Sequence, residues 1–546
     1  MRATNMKNTI WKTQMLFGLT LAVALLFTAS AYAAAPGITG PTFNLIAQPA
    51  NLNQPDGQVI YSWGYGCNGS PAGFSPTMAG QACGGMQVPG PTLIVNEGDT
   101  VNVTLFNSLP TPAGNTSILF PGFTLTSTCP AGQQGVLTCE APHGGSVTYT
   151  FLASSPGTRA YYSGTQGDLQ VEMGLYGAII VLPTNATVLS ACATAQANNA
   201  TAQGFWGESD FRLAAAAYDN AKTCYDREYL FQFSEIDPNV HRQALNQVTA
   251  KGSCTAGANG CSLEVPTEPY HPSYFMINGR SMPDDMDPNY ALEYPHQPYN
   301  GNPHMHPGEQ VLLRIIGQGR WQHPFHEHGN HVRVLGRDGN LILSQTDATD
   351  LAGPLLFTTT TTPGIAMDGI FYWTGRGLNW DAYGHNPASK DPSATLSCTP
   401  DANGYNTSAP TAINYYEWCQ DHNKPVQAFP FGDVASGGPV TLPDANILTN
   451  GAWYGGSPYL GPNATVRATG CLGTGTTAQN NTTNCGQSGS TPPSGTIANP
   501  PASEAGFAFM WHSHNEREIT TNNIFPGGMM MMMLVDSREF PIDESN

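Results

Sequence analysis

The chain has few charged residues, and most of those are acidic. Asp, Glu, Lys and Arg make up 11% of the 546 residues, and the formal net charge is -19. This balance argues against nucleic acids and anionic membranes as partners, because both carry negative charge themselves. The sequence also lacks a long apolar run beyond Phe27. No membrane-spanning helix is therefore expected in the mature protein.

The first residues have the pattern of a secretory leader. Arg2, Lys7 and Lys12 supply positive charge, the apolar run Met15–Phe27 follows, and Ala31-Tyr32-Ala33 is a cleavage site of the A-x-A kind. We predict a signal peptide over 1–33. The mature protein is expected to be exported to a periplasm, the cell surface or the medium.

The composition favours an all-β protein with many turns, because it holds 60 glycines and 44 prolines. The 12 cysteines form six neighbouring pairs, and an even count in an exported protein indicates disulfides. Sequence alone does not fix their connectivity. The neighbours are Cys67/Cys83, Cys129/Cys139, Cys192/Cys224, Cys254/Cys261, Cys398/Cys419 and Cys471/Cys485.

Strand patterns divide the chain into two domains. Strands are predicted at Thr92–Val95, Thr100–Leu105 and Gly174–Val181, and again around Tyr229 and at 307–316, 332–338 and 507–514. We predict a first domain over 34–183, a linker over 184–224 and a second domain built from 225–380 and 501–546. Residues 381–500 are rich in Gly, Asn and Thr and are interpreted as a disulfide-pinned insertion, with a degenerate third domain as the alternative.

Two histidine clusters carry the chemistry. The first includes His323, His326 and His328, and the second includes His512 and His514. Alternate residues of a strand point to one face, so each His-x-His pair projects its two rings together, whereas His323 faces the other way. Four imidazoles on neighbouring strands are good ligands for copper, zinc, iron or nickel.

The segment from His323 to Gly329 and the segment from His512 to Glu518 resemble the HPxHxHG and HCHxxxH motifs of the multicopper oxidases. The resemblance implies tandem cupredoxin-like Greek-key β-sandwiches with a long loop-rich insertion. It also implies that His326 matches a type 2 copper ligand. The matches to type 3 copper ligands are His328, His512 and His514. His323 matches a type 1 copper ligand.

The same resemblance shows which ligands are missing. Ser513 stands where the type 1 cysteine belongs, and Glu518 stands where a type 1 histidine belongs. A hydroxyl cannot replace the thiolate that defines a blue copper site. In the first domain, the four histidine positions of the family are occupied by Leu119, Pro121, Tyr162 and Gly164. Four-electron reduction of dioxygen is therefore not expected, and copper is expected as one or two ions rather than four.

Three functions remain open at this stage. The first is a non-blue copper oxidoreductase acting on an unknown small molecule or metal ion. The second is a copper-binding or storage module without turnover, and the third is a metal-free scaffold on the same fold. A dinuclear site would need extra ligands such as Tyr161, Tyr162 or water. Two-domain relatives form trimers with the copper cluster between subunits, so the resemblance also raises a homotrimer.

Two further motifs contain possible metal ligands but are not interpreted as metal sites. His304-Met305-His306 has ligand spacing but precedes a Pro-Gly turn, which favours a solvated loop. The methionine run Met529–Met533 is typical of flexible core packing.

Overall fold

The computed structural model describes four parts of the chain: 34–376 except 79 and 130, 400–418 except 413 and 414, the strands at 456–460 and 497–498, and 505–542 except 537, 539 and 540. The predicted leader over 1–33 lies outside the described residues. So does most of the predicted insertion over 381–500, with its four cysteines.

The first β-sandwich consists of a five-stranded and a six-stranded sheet. The strand order is β10-β11-β6-β1-β4 in one sheet and β5-β3-β2-β7-β9-β8 in the other. Some neighbours in a sheet, such as β6 and β11 or β2 and β7, are not consecutive in the chain, and parallel and antiparallel pairs are mixed. The strands are β1 (Gly37–Thr39), β2 (Thr42–Asn53), β3 (Val59–Cys67), β4 (Phe74–Ser75), β5 (Gly85–Gln87), β6 (Leu93–Asn96), β7 (Thr100–Asn107), β8 (Leu125–Thr128), β9 (Ser146–Leu152), β10 (Gly157–Tyr162) and β11 (Tyr176–Leu182).

The second β-sandwich is also built from two sheets. One has the order β13-β12-β15-β21-β17-β18 with β19 on β17, and the other has the order β14-β25-β24-β16-β20 with β22 and β23 attached. The strands are β12 (Arg227–Ile236), β13 (Tyr274–Ile277), β14 (His304–Met305), β15 (Gln310–Gly317), β16 (His323–Glu327), β17 (Val332–Arg337), β18 (Asn340–Leu341), β19 (Leu355–Leu356), β20 (Thr358–Thr361), β21 (Ala366–Tyr372), β22 (Gly456–Leu460), β23 (Ile497–Ala498), β24 (Ala505–Ser513) and β25 (Met530–Asp536).

Helices are short and lie between strands. The α-helices are α1 (Gly167–Gln170), α2 (Ala186–Ala195), α3 (Ala197–Trp206) and α4 (Pro238–Lys251), and the 3-10 helices are Thr111–Ala113, Ala221–Thr223 and Asp284–Met286. The Asn185 side chain caps α2 by accepting hydrogen bonds from the amides of Thr187 and Val188. Within the described ranges, no helix has the length and apolar character needed to span a membrane.

The period-two pattern of β24 decides what faces the core and what faces the site. Phe507, Phe509 and Trp511 are buried in the core of the second sandwich. His512 is one residue further on and therefore projects from the opposite face. Alternate methionines of β25 and the residue before it, Met529, Met531 and Met533, fill the same core. The interpretation of the methionine run as core packing is confirmed.

Four of the predicted disulfides lie in the described residues, and all four pair as neighbours: Cys67–Cys83, Cys129–Cys139, Cys192–Cys224 and Cys254–Cys261.

The expectation of a solvated loop at His304 and His306 is wrong. Both side chains are buried, His304 against the Asp536 carboxylate at 2.6 Å and His306 against Glu208 at 2.6 Å. The C-terminal strand β25 covers this segment, which local sequence could not indicate.

Candidate metal centre

Two neighbouring strands place the histidine pairs side by side. β16 and β24 are antiparallel, and His326 lies directly opposite His512. The amide of His514 donates a hydrogen bond to the Pro324 carbonyl at 2.8 Å, which extends the pairing one step beyond β24. Because His328 and His514 each lie two residues after a paired histidine, all four rings come to the same face.

Each of the four imidazoles contacts at least two of the others. Ring centroids are 4.8 Å apart for His326 and His514, 4.9 Å for His326 and His328, and 5.2 Å for His328 and His512. His326 and His512 are buried, His328 is half-buried, and His514 is exposed. The cluster is therefore open to solvent on the side of His514, which gives an ion a route of entry.

The cluster keeps its buried rings uncharged at neutral pH. Burial, followed by the neighbouring charges of His328, His512 and His514, lowers the pKa of His326 to about 4. Burial also lowers the pKa of His512. Neutral imidazole is the form that binds metals, so the environment favours the ligand state over the protonated state.

Hydrogen bonds orient the two opposed rings. His512 Nδ1 is 2.7 Å from the Ser513 carbonyl oxygen, which can only accept, so Nδ1 carries the proton and Nε2 has the lone pair. His326 Nδ1 is 2.7 Å from the Thr358 hydroxyl. Such partners commonly fix the tautomer and direction of metal-binding histidines.

The donor set fits a transition-metal ion, with some adjustment of the rings. The Nε2 atoms of His328 and His512 are 3.2 Å apart. Two nitrogens bound to one tetrahedral ion at about 2.0–2.1 Å would be separated by roughly 3.3 Å. Over the described residues, however, no group of three or more His, Cys, Asp or Glu side chains already has an arrangement suited to a metal ion. One pair of nitrogens is thus suitably spaced, and the other rings would have to turn toward it.

His323 lies apart from this cluster, on the core face of β16. Its Nδ1 is 2.9 Å from Glu518 Oε2 and its Nε2 is 3.0 Å from Glu235 Oε2. The hydroxyl of Ser513 donates to the same Glu518 oxygen. All four side chains are almost completely buried. We call His323, Glu235, Glu518 and Ser513 the carboxylate–histidine site.

Charge pairing replaces metal binding in the carboxylate–histidine site. Burial opposes protonation of His323, but the hydrogen bonds that its ring donates to Glu235 and Glu518 outweigh burial and raise its pKa to about 9. An imidazolium between two carboxylates results. Because the two acids occupy opposite nitrogens of one ring, they cannot join that ring in binding a single ion.

Sequence reasoning missed Glu235 and Thr358. Glu235 is an acidic residue within a strand, β12, whose other residues are all buried, and it accepts hydrogen bonds from the amides of Arg320 and Trp321. An acid in such a strand requires a partner, and that requirement was the available signal. Thr358 gave no signal, because only the pairing of β16 with β20 brings it beside His326.

In the described part of the first sandwich, Leu119 and Tyr162 line a cavity that does not include the cluster histidines. The backbones of Leu119 and Tyr162 are hydrogen-bonded to each other, and both residues line a cavity of about 280 Å³ with Gly164, Gln318 and Gly364. No histidine of the cluster is among its lining residues. The hydroxyl of Tyr161 is buried and donates to the Pro91 carbonyl at 2.7 Å, so it is already engaged.

Comparisons with known proteins find sequence similarity to multicopper oxidases over part of the chain. The family profile described as "Multicopper oxidase" matches residues 79–186. Dihydrogeodin oxidase of Aspergillus terreus is 36% identical over 96 residues, which are 17% of this chain and 15% of that protein. Laccase-3 of Botryotinia fuckeliana is 37% identical over 94 residues, 17% of this chain and 20% of that protein. Residues 79–186 of this chain thus resemble a multicopper oxidase domain.

Solved structures of similar proteins include a blue copper oxidase from Nitrosomonas europaea, at 13% identity and a TM-score of 0.41 over 90% of this chain and 85% of that one. Another is the multicopper oxidase mgLAC, at 15% identity and a TM-score of 0.42 over 92% and 87% of the two chains.

Copper is the cofactor that this resemblance implies. The sequence matches to the curated relatives cover only 15% to 20% of those proteins' own length. The profile match falls on the first sandwich. There, Leu119, Pro121, Tyr162 and Gly164 occupy the positions that the sequence resemblance matches to the family's histidines. The recognisable sequence and the remaining histidines are thus in different halves of the chain.

Proposed function

We propose that this protein is an exported, non-blue copper protein that binds one or two copper ions through His326, His328, His512 and His514. The observation that supports this most directly is the contact of four imidazoles across β16 and β24. The lowered pKa values of His326 and His512 also support copper binding. So does the hydrogen bond to the Ser513 carbonyl, which places the proton of His512 on Nδ1 and leaves a lone pair on Nε2.

We leave His323 out of this ligand set. Both of its nitrogens are engaged by carboxylates, and its strand face is the opposite one. Within the described residues, His323 is therefore not free to complete a blue copper site. A bound copper ion would supply one-electron redox chemistry, and the residues around it would hold it, keep their rings neutral and leave the His514 side open.

The open side favours a small molecule or a metal ion as the reductant, because such species can reach the exposed ring of His514 directly. Storage without turnover is the second candidate function, since the same four rings could hold copper without exchanging electrons. The metal-free scaffold is the third. Leader removal and export to a periplasm, the cell surface or the medium are part of the proposal, as is a homotrimer.

Copper stoichiometry measured together with electron paramagnetic resonance tests the proposal. The mature protein should bind about one or two copper ions per chain with a type 2 spectrum and no blue colour. His512→Ala/His514→Ala should lose that signal, whereas the exposed His271→Ala, which changes a histidine outside the cluster, should retain it. Copper that is bound but cannot be reduced and reoxidised would indicate storage. Absence of specific copper in all three proteins would indicate the scaffold.

A further inference from the structure

The methionine run at 529–533 points to both faces of its sheet. Met529, Met531 and Met533 fill the core of the second sandwich. Met530 and Met532 alternate with them along the chain, so their side chains project from the opposite face. Packing within the core therefore does not account for Met530 and Met532.

Strand pairing places these two methionines beside β24. Met532 lies directly opposite Met510, and Met530 lies directly opposite His512. Met510 precedes the core residue Trp511, so it projects from the same face as His512. Side chains at directly opposite positions have Cβ atoms about 4.5–5.5 Å apart, and diagonal neighbours are within reach of long side chains. We call Met510, Met530 and Met532 the methionine patch; it borders the four-histidine cluster at His512.

The methionine patch is partly accessible from outside the core. Met530 is 5% exposed, whereas Met510 and Met532 are half-buried. The face of an antiparallel sheet that is turned away from the core is commonly polar. Methionines at three neighbouring positions of this face instead provide flexible side chains with polarizable sulfur atoms. Sulfur donors of one chemical kind are thus gathered next to the candidate metal centre.

The chemistry of these donors selects one oxidation state of copper. Thioether sulfur is a soft ligand that suits Cu(I). We propose that Met510, Met530 and Met532 form a Cu(I)-binding site beside the four-histidine cluster. This site is additional to the imidazole site of the proposed function and does not depend on copper being bound there. The two sites meet at His512, the residue opposite Met530.

Anaerobic titration of the mature protein with Cu(I), in competition with the chelator bicinchoninate, tests the site. Met530→Leu/Met532→Leu keeps two apolar side chains of similar volume but removes both sulfurs, so it should weaken Cu(I) binding at least about tenfold. The matched control is Met531→Leu/Met533→Leu, which makes the same change on the core face of the same strand and should leave the Cu(I) affinity unchanged. Equal Cu(I) affinities of the two double variants would contradict the proposal.

Two spectroscopic measurements separate this site from the four-histidine cluster. X-ray absorption at the copper edge of the Cu(I)-loaded protein should show sulfur neighbours, which imidazoles cannot supply. The sulfur contribution should persist in His512→Ala/His514→Ala and fall in Met530→Leu/Met532→Leu. The methionine variant should keep the Cu(II) electron paramagnetic resonance signal of the histidines, so the two proposals can fail separately. Cu(I) with nitrogen neighbours alone would show that the methionine patch is only a packing surface, and the proposal would be wrong.

Discussion

Glu235 and His323 form an ion pair in the interior of the second sandwich, with 3.0 Å between Oε2 and Nε2 and both side chains almost fully buried. The pair joins β12 of one sheet to β16 of the other. Glu518 completes the arrangement from the segment after β24. The position that the sequence resemblance matches to a type 1 copper site thus has an internal charge network.

Glu235→Gln should destabilise the fold. Removing one partner of a buried ion pair leaves an uncompensated charge and typically costs about 3–5 kcal/mol. Denaturant unfolding measures the change. The matched control is Glu268→Gln, which breaks the pair of Arg320 with a carboxylate that is 73% exposed and should cost no more than about 1 kcal/mol. Equal effects of the two substitutions would show that the Glu235 pair contributes no more than a surface pair.

The stability of the mature protein should fall in mildly alkaline solution. The folded-state pKa of His323 is about 9, above its ordinary value of 6.5. The stabilisation is therefore complete below about pH 6.5 and is lost as the pH rises through about 9, because only the protonated ring pairs with both acids. Unfolding midpoints between pH 6 and pH 10 measure this. If the Glu235→Gln variant loses the same amount of stability over this pH range, another titrating group causes the loss.

Ser513→Cys alone should not create a blue copper site. The new thiol would stand beside His323, but Glu235 and Glu518 hold both nitrogens of that ring. Blue sites require a cysteine and two histidine ligands. Neither ring nitrogen of His323 can bind copper unless its ion pair with Glu518 or Glu235 is broken. Absorption spectroscopy after copper addition should show no intense blue band. A strong band would mean that copper displaces the carboxylates.

Thr358→Val should weaken copper binding, because it removes the hydroxyl beside His326 Nδ1. Loss of such a partner commonly reduces metal affinity by about 10–100-fold. Competition titration with a copper chelator measures the affinity. Thr360→Val makes the same chemical change on the same strand at an exposed position and should have no effect. An equal loss of copper affinity in both variants would show that a change in β20 as a whole, and not the Thr358 hydroxyl, causes the effect.

Much of the fold could be predicted from local patterns. The strand predicted at Thr100–Leu105 is observed at Thr100–Asn107, and the one predicted at 507–514 is observed at Ala505–Ser513. The prediction that His326 and His328 share a face, with His323 on the other, is likewise confirmed by their contacts. These features depend on the two-residue period of a strand, which can be recognised from residues that are adjacent in the sequence.

The sequence by itself determined the all-β architecture, the two His-x-His pairs and the absence of a type 1 cysteine. It could not determine that His326 lies opposite His512, because their register depends on how β16 and β24 meet within one sheet. Nor could it show that Glu235 neutralises His323, or that His304 is buried under β25. Those relationships join residues far apart in the chain. Tertiary packing decides them, because burial forces each polar group to find whichever partner the fold brings near.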